Sequence, residues 1–133
     1  MRNMIPVSLI CIVALSGVAR ADEAKPQPQR ELFQRHDESG VAGKEIVLGM
    51  AQIPAGTAIG FHIHAGDEIG FVVKGTLTLK TRGQKDRVLH AGDTFFNVRG
   101  AVHSVAAEAG GEGGTVVSTW VVDKGVPLAT PVP

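Results

Sequence analysis

The chain has 133 residues, enough for one domain with a buried core. Its 13 Lys and Arg balance 13 Asp and Glu with no basic cluster, which argues against nucleic acid and anionic membrane surfaces as partners. The one cysteine, Cys11, excludes a disulfide-stapled fold.

In chain order, residues 1–21 read as an export signal. Arg2 gives a weakly positive start, and Ile5 to Leu15 is apolar apart from Pro6 and Ser8. Ala19-Arg20-Ala21 then fits a small-x-small cleavage site. The apolar run falls short of the ~18 residues of a membrane span. No twin arginine precedes it, so general secretion is expected, to the periplasm or beyond the cell. Cleavage would remove Arg2, Arg20 and Cys11, leaving 11 basic against 13 acidic side chains and no membrane segment.

Residues 22–35 are polar, carry Pro26 and Pro28, and read as a flexible lead-in. The domain is expected over 36–126, with a tail at 127–133. From Glu45 the chain alternates short apolar stretches with glycine-bearing breaks. The expected strands are Glu45–Ile53, Ala58–His64, Glu68–Lys74, Thr76–Thr81, Arg87–His90, Thr94–Val98, Val102–Ala106 and Thr115–Val122. This spacing predicts an all-β sandwich or barrel. No stretch after residue 21 has a sustained helical period.

The spacing Gly56-x5-His62-x-His64-x3-Glu68-x6-Gly75 is the central motif. On one strand His62 and His64 lean the same way, with Cα atoms about 6.6–6.8 Å apart. Two imidazoles so placed can converge on one ion at about 2.0–2.1 Å each. The Ala65-Gly66-Asp67 turn returns the chain and lets Glu68 approach, while Asp67 has the opposite parity and serves the turn. Gly75 is expected to end that strand and let the chain reverse. The two-residue period sets Gly60, His62 and His64 on one face and Ile59, Phe61 and Ile63 on the other. With this composition the five-position pattern arises by chance in roughly one chain in ten thousand, so coincidence is set aside. The residues alone leave the next ligand open among His36, His90 and His103. No ligand spacing surrounds His36 or His90, which read as turn or surface residues.

The same run resembles the first motif of the cupin family, G-x5-H-x-H-x3,4-E-x6-G. Gly92-Asp93-Thr94-Phe95-Phe96-Asn97-Val98-Arg99-Gly100-Ala101-Val102-His103 resembles the second, G-x5-P-x-G-x2-H-x3-N. The likeness spans roughly 40–125, with a short intermotif stretch, Thr76 to Ala91, like that of small bacterial single-domain cupins. Val121 to Ala129 is similar to the tails of small exported cupins. Val98 stands in place of the motif's proline and Ala107 in place of its asparagine; losing proline's fixed φ is expected to loosen the turn before His103.

The resemblance implies a double-stranded β-helix, a jelly-roll barrel of two antiparallel sheets. It also implies His62, His64, Glu68 and His103 as ligands of one divalent transition metal. Imidazole and carboxylate suit Fe, Mn, Co, Ni, Cu and Zn alike. Such a set leaves two positions of a six-coordinate ion for water, oxygen or substrate. Likeness to quercetinase-like cupins implies a dioxygenase acting on a small enol, catechol or polyphenol, with Glu68 doubling as catalytic base. The alternatives are a non-oxidative lyase or isomerase, or a module that binds metal or a small ligand without turnover. The chain has no tyrosine, which excludes a phenolic acid or base and, with no cysteine nearby, a cysteine–tyrosine cofactor. Phe61, Phe71, Phe95, Phe96, Trp120 and Met50 are candidates for pocket walls, and Arg99 reads as solvated. A homodimer is expected, with Ile59, Phe61 and Ile63 as one candidate interface.

Overall fold

A clean two-residue alternation sets the architecture. In Gly114–Asp123, every second side chain from Gly114 is buried, ending at Trp120 and Val122. The computed structural model describes residues 24–133, so the expected signal segment lies outside the described residues. Nine strands follow in order: β1 (Gln29–Asp37), β2 (Lys44–Ile53), β3 (Ala58–Ile63), β4 (Gly66–Thr81), β5 (Arg87–His90), β6 (Thr94–Asn97), β7 (His103–Ala106), β8 (Gly114–Asp123) and β9 (Thr130–Pro131). No helix occurs among the described residues.

All pairings are antiparallel, and they form two sheets that share β4. The first runs β1-β2-β8-β4-β6 and the second β5-β4-β7-β3-β9. The fold is the expected double-stranded β-helix. Its hinge is β4. Residues 66–75 pair with β8 or β6, and residues 76–81 pair with β5 and β7. Between Val72 and Lys74 the register shifts by one residue. Inward positions therefore change from Glu68, Gly70 and Val72 to Gly75, Leu77 and Leu79. Gly75 does not end the strand as expected; it bends it, at φ 80°, where an added Cβ would collide with the Gly113 carbonyl.

A second bulge, between Ile59 and His62 in β3, overturns one expected face. Ile59 opposes Val105 and His62 opposes His103, so the extra residue returns Ile59 to the interior. Ile59 packs on the core, and Phe61 instead stacks under the Arg82 guanidinium, 5.1 Å from the ring centre. Ile59 therefore does not share one outward face with Phe61 and Ile63.

Strand β1 takes Gln29–Asp37, most of which reads as lead-in by sequence. It is exposed along its whole length, so it has no burial pattern to detect. The free edge of β2 recruits it by main-chain pairing. Strand β9 falls in the expected tail and pairs His62 and Ile63 with Pro131 and Thr130.

The interior is filled by Val72, Leu77, Leu89 and Ile53, each essentially inaccessible. Each such side chain contributes about 1.5–3 kcal/mol by leaving water. On β2 the odd positions from Glu45 to Ile53 face in, so Met50 and Gln52 face out. Of the six candidate wall residues, Phe95 and Trp120 alone are buried; Phe71 and Phe96 are exposed.

Gly75→Ala forces a side chain into a left-handed backbone and against the Gly113 carbonyl. A loss of about 3 kcal/mol or more is expected, read as a shifted urea midpoint with an unchanged slope.

Candidate metal centre

His62 and His103 are direct cross-strand neighbours on β3 and β7. His64 lies one residue past the end of β3, on the same inward parity as His62. All three imidazoles are buried, and their ring centres lie 4.3–5.1 Å apart. One ring nitrogen from each lies within 4.8 Å of the other two. His36 and His90 are exposed and outside this cluster, bonded to Gln34 and Thr76.

The main chain orients each ring. The Nδ1 of His62 is 2.8 Å from the Gly60 carbonyl, that of His103 is 2.9 Å from Ala101 O, and that of His64 is 2.5 Å from Leu128 O. A carbonyl can only accept, so each Nδ1 carries the proton and donates. In the neutral ring Nε2 then holds the lone pair, the arrangement a metal ligand needs.

Glu68 joins from β4. Its Oε2 is 3.3 Å from His64 Nε2 and 3.2 Å from His103 Nε2. Two ligands at right angles on one ion, each about 2.1 Å from it, stand about 3 Å apart. The donor chemistry and these spacings fit a single divalent ion. Asn97 on β6 faces Glu68 in register and donates from Nδ2 to Oε2 at 2.9 Å. Trp120 faces it from β8, and its indole N–H points to His64 Nε2 at 3.3 Å.

Burial works against charge here, and the partners decide each outcome. Burial pushes the Glu68 carboxyl up; in the metal-free site, bonds from a protonated His103 or His64 ring, then from Asn97, leave it below the ordinary carboxylate range, and a bound ion takes the place of that ring proton. Burial is also the largest influence on His62, pulling it down to about 4; His103, His64 and Arg30 add to this against the Gly60 bond. A neutral His62 and an ionised Glu68 are the forms that bind metal.

The loop before His103 is held despite Val98. Ala101 N donates to Val98 O at 3.0 Å, with Gly100 at φ 75°. The amide of Gly100 donates to His64 O at 3.1 Å. Asp67 accepts from the Arg99 amide at 2.8 Å, so it serves this loop rather than its own turn. The Arg99 guanidinium is exposed, as expected, and bridges Ala65 O and Asp123. That contact, then Lys44, holds the Asp123 carboxyl down to about 2.

Beside the cluster is a cavity of about 30 Å³. That is room for roughly two water molecules. Ile59, Phe95 and Val105 supply apolar wall; Arg30 and Ser118 are polar members beyond the cluster itself. Sequence reasoning did not single out Asn97, Arg30, Ser118 or the Leu128 carbonyl. The one local signal was Asn97, an amide inside an aromatic, strand-forming run.

Protonation of His62 is expected to make the metal-free protein less stable in acid. Its folded pKa, about 4, lies below the ordinary 6.5, so the unfolded chain takes up the proton first. Stability is therefore full above pH 6.5 and drains as pH falls towards 4, with Glu68 adding to the loss once pH falls below the ordinary 4.5 of a glutamate. Thermal midpoints of chelated protein between pH 7.5 and 4 check this; a flat profile contradicts it.

The cupin domain family matches residues 49–122, more than half of the chain. Solved structures of the same shape include KdgF from Halomonas sp., at 20% identity and TM-score 0.60, covering 74% of this chain and 81% of that one. A cupin-like protein from Thermotoga maritima is 22% identical at TM-score 0.60, covering 79% and 75%. The DMSP lyase DddQ from Ruegeria pomeroyi is 18% identical at TM-score 0.64, covering 87% of this chain and 57% of that one. No protein with a curated description matches by sequence. With its two sheets joined through β4, its buried histidine cluster and its match over 49–122, the chain belongs to the cupin family.

Proposed function

We propose that His62, His64, Glu68 and His103 hold one divalent transition metal and that the chain is a metal-dependent enzyme for a small oxygen-bearing substrate. The convergence of three Nε2 lone pairs, each fixed by a main-chain carbonyl, carries this reading. A bound ion supplies Lewis acidity at a substrate oxygen, with open positions for it. The protein's own part is to orient the ligands and to keep bulk water out with Ile59, Phe95 and Val105. Glu68 serves first as a ligand. Bound to the ion and bonded by Asn97 Nδ2, it takes a substrate proton only as that hold loosens.

The reaction proposed first is a dioxygenation of a small enol or catechol. A non-oxidative lyase or isomerase reaction is the second reading. The small cavity favours it, since it offers little room for an organic substrate and oxygen together. It is also the reaction class in the name of one structural relative, a DMSP lyase. A bulky polyphenol fits neither reading without the cavity opening. Export through residues 1–21 belongs to the same proposal, with the metal taken up outside the cytoplasm.

His62→Ala and His64→Ala should each lose metal at least tenfold while keeping the β-rich circular dichroism spectrum. Stoichiometric metal in both variants, by elemental analysis, would refute the ligand set. Turnover of small enol or catechol substrates that stops without oxygen supports dioxygenation; turnover that persists anaerobically supports the second reading.

A second copy of the chain is the proposed partner, on the outer face of the first sheet. Ile69, Phe71 and Val73 of β4 and Phe96 of β6 are 47–61% exposed, and Ile69 pairs with Phe96. Together they present on the order of 400 Å² of apolar surface, about half of what one partner buries in a standard interface. The threonines and valines of β8 extend the same face, and a two-fold axis would bury it against itself. Sedimentation should give a dimer that Phe71→Glu converts to monomer. A monomeric wild-type protein at micromolar concentration removes the proposal.

A further inference from the structure

The cavity contains two polar groups that the metal site does not use. Ser118 on β8 is 1% exposed, borders the cavity, and its hydroxyl oxygen has no hydrogen-bond partner. A buried hydroxyl left unpaired is costly, and such groups occur where a ligand completes them. Arg30 on β1 lines the same cavity, at the gap between β1 and the start of β3. Its register partner is Ala51, an inward position of β2, so its side chain starts on the cavity side of the sheet. No ion pair engages Arg30 among the described residues. The one carboxylate in the cavity wall, Glu68, is occupied by Asn97, His64 and His103. Glu31, next along β1, lies opposite Met50, an outward position.

The geometry points to a binding site for a short-chain hydroxy- or oxo-carboxylate. Its carboxylate is held by Arg30 at the mouth, its second oxygen reaches the histidine cluster, and the Ser118 hydroxyl gains its missing partner. A guanidinium offers a carboxylate two parallel N–H donors, which a neutral amide cannot exploit in the same way. The walls between these groups are apolar, and the volume limits the enclosed part to a few heavy atoms. This inference deepens the proposed function and rests on its reading of the cluster as the place where the substrate's second oxygen goes.

Trp120 is the chain's one tryptophan and lines the cavity, so its fluorescence reports on occupancy. The probes are lactate and its neutral counterpart lactamide, titrated into zinc-loaded and metal-free full-length protein. Lactate should bind at least tenfold more tightly than lactamide. Arg30→Gln should abolish that preference at unchanged zinc content, and Arg30→Lys should restore part of it. Arg30 is exposed, so these variants fold. Equal affinity for the two probes in the wild type, or a preference that survives in Arg30→Gln, overturns the assignment. Elemental analysis separates the two proposals. Zinc retained without acid preference removes this site alone, whereas acid preference without zinc binding supports it and removes the metal reading.

Discussion

Three imidazole N–H groups donating to three main-chain carbonyls are the constraint on which the site depends. The acceptors, Gly60, Ala101 and Leu128, come from β3, from the loop before β7 and from the C-terminal segment. Because each acceptor is backbone, the ring orientations are as rigid as the barrel itself. The tautomers follow, and with them the convergence of the Nε2 atoms. Preorganisation of this kind is what raises metal affinity beyond a list of ligands.

The barrel supplies that rigidity through β4. One strand belongs to both sheets, and a one-residue bulge with a left-handed glycine changes which residues face inward at the junction. Before the bend β4 presents Glu68 to the cluster; after it, Leu77 and Leu79 complete the core. The one-residue bulge in β3 does the same beside the histidines and turns Ile59 into a cavity wall. Both departures from regular pleating lie where a functional wall meets a packed one.

The segments outside the regular motif are not passive. Val132 donates to Phe61 O, β9 pairs with β3, and Leu128 packs beside Trp120 and Val122 while its carbonyl holds His64. At the other end β1 brings Arg30 to the cavity mouth and Arg35 to the buried carboxylate of Glu45 at 2.7 Å. The terminal segments thus finish what the central strands begin.

Residue type and spacing were enough to identify the all-β class, most strand positions, the His-x-His pair and the approach of Glu68. These follow from local parity, a property carried within a single strand. Three features were decided by the tertiary structure. The meeting of His103 with His62 depends on pairing between strands some forty residues apart, which residue-by-residue reading left open among three histidines until the family motif was invoked. The inward turn of Ile59 depends on a bulge, which shifts parity without a composition signal. The strand character of Gln29–Asp37 depends on a neighbouring edge, because a segment exposed on all sides has no hydrophobic period to read.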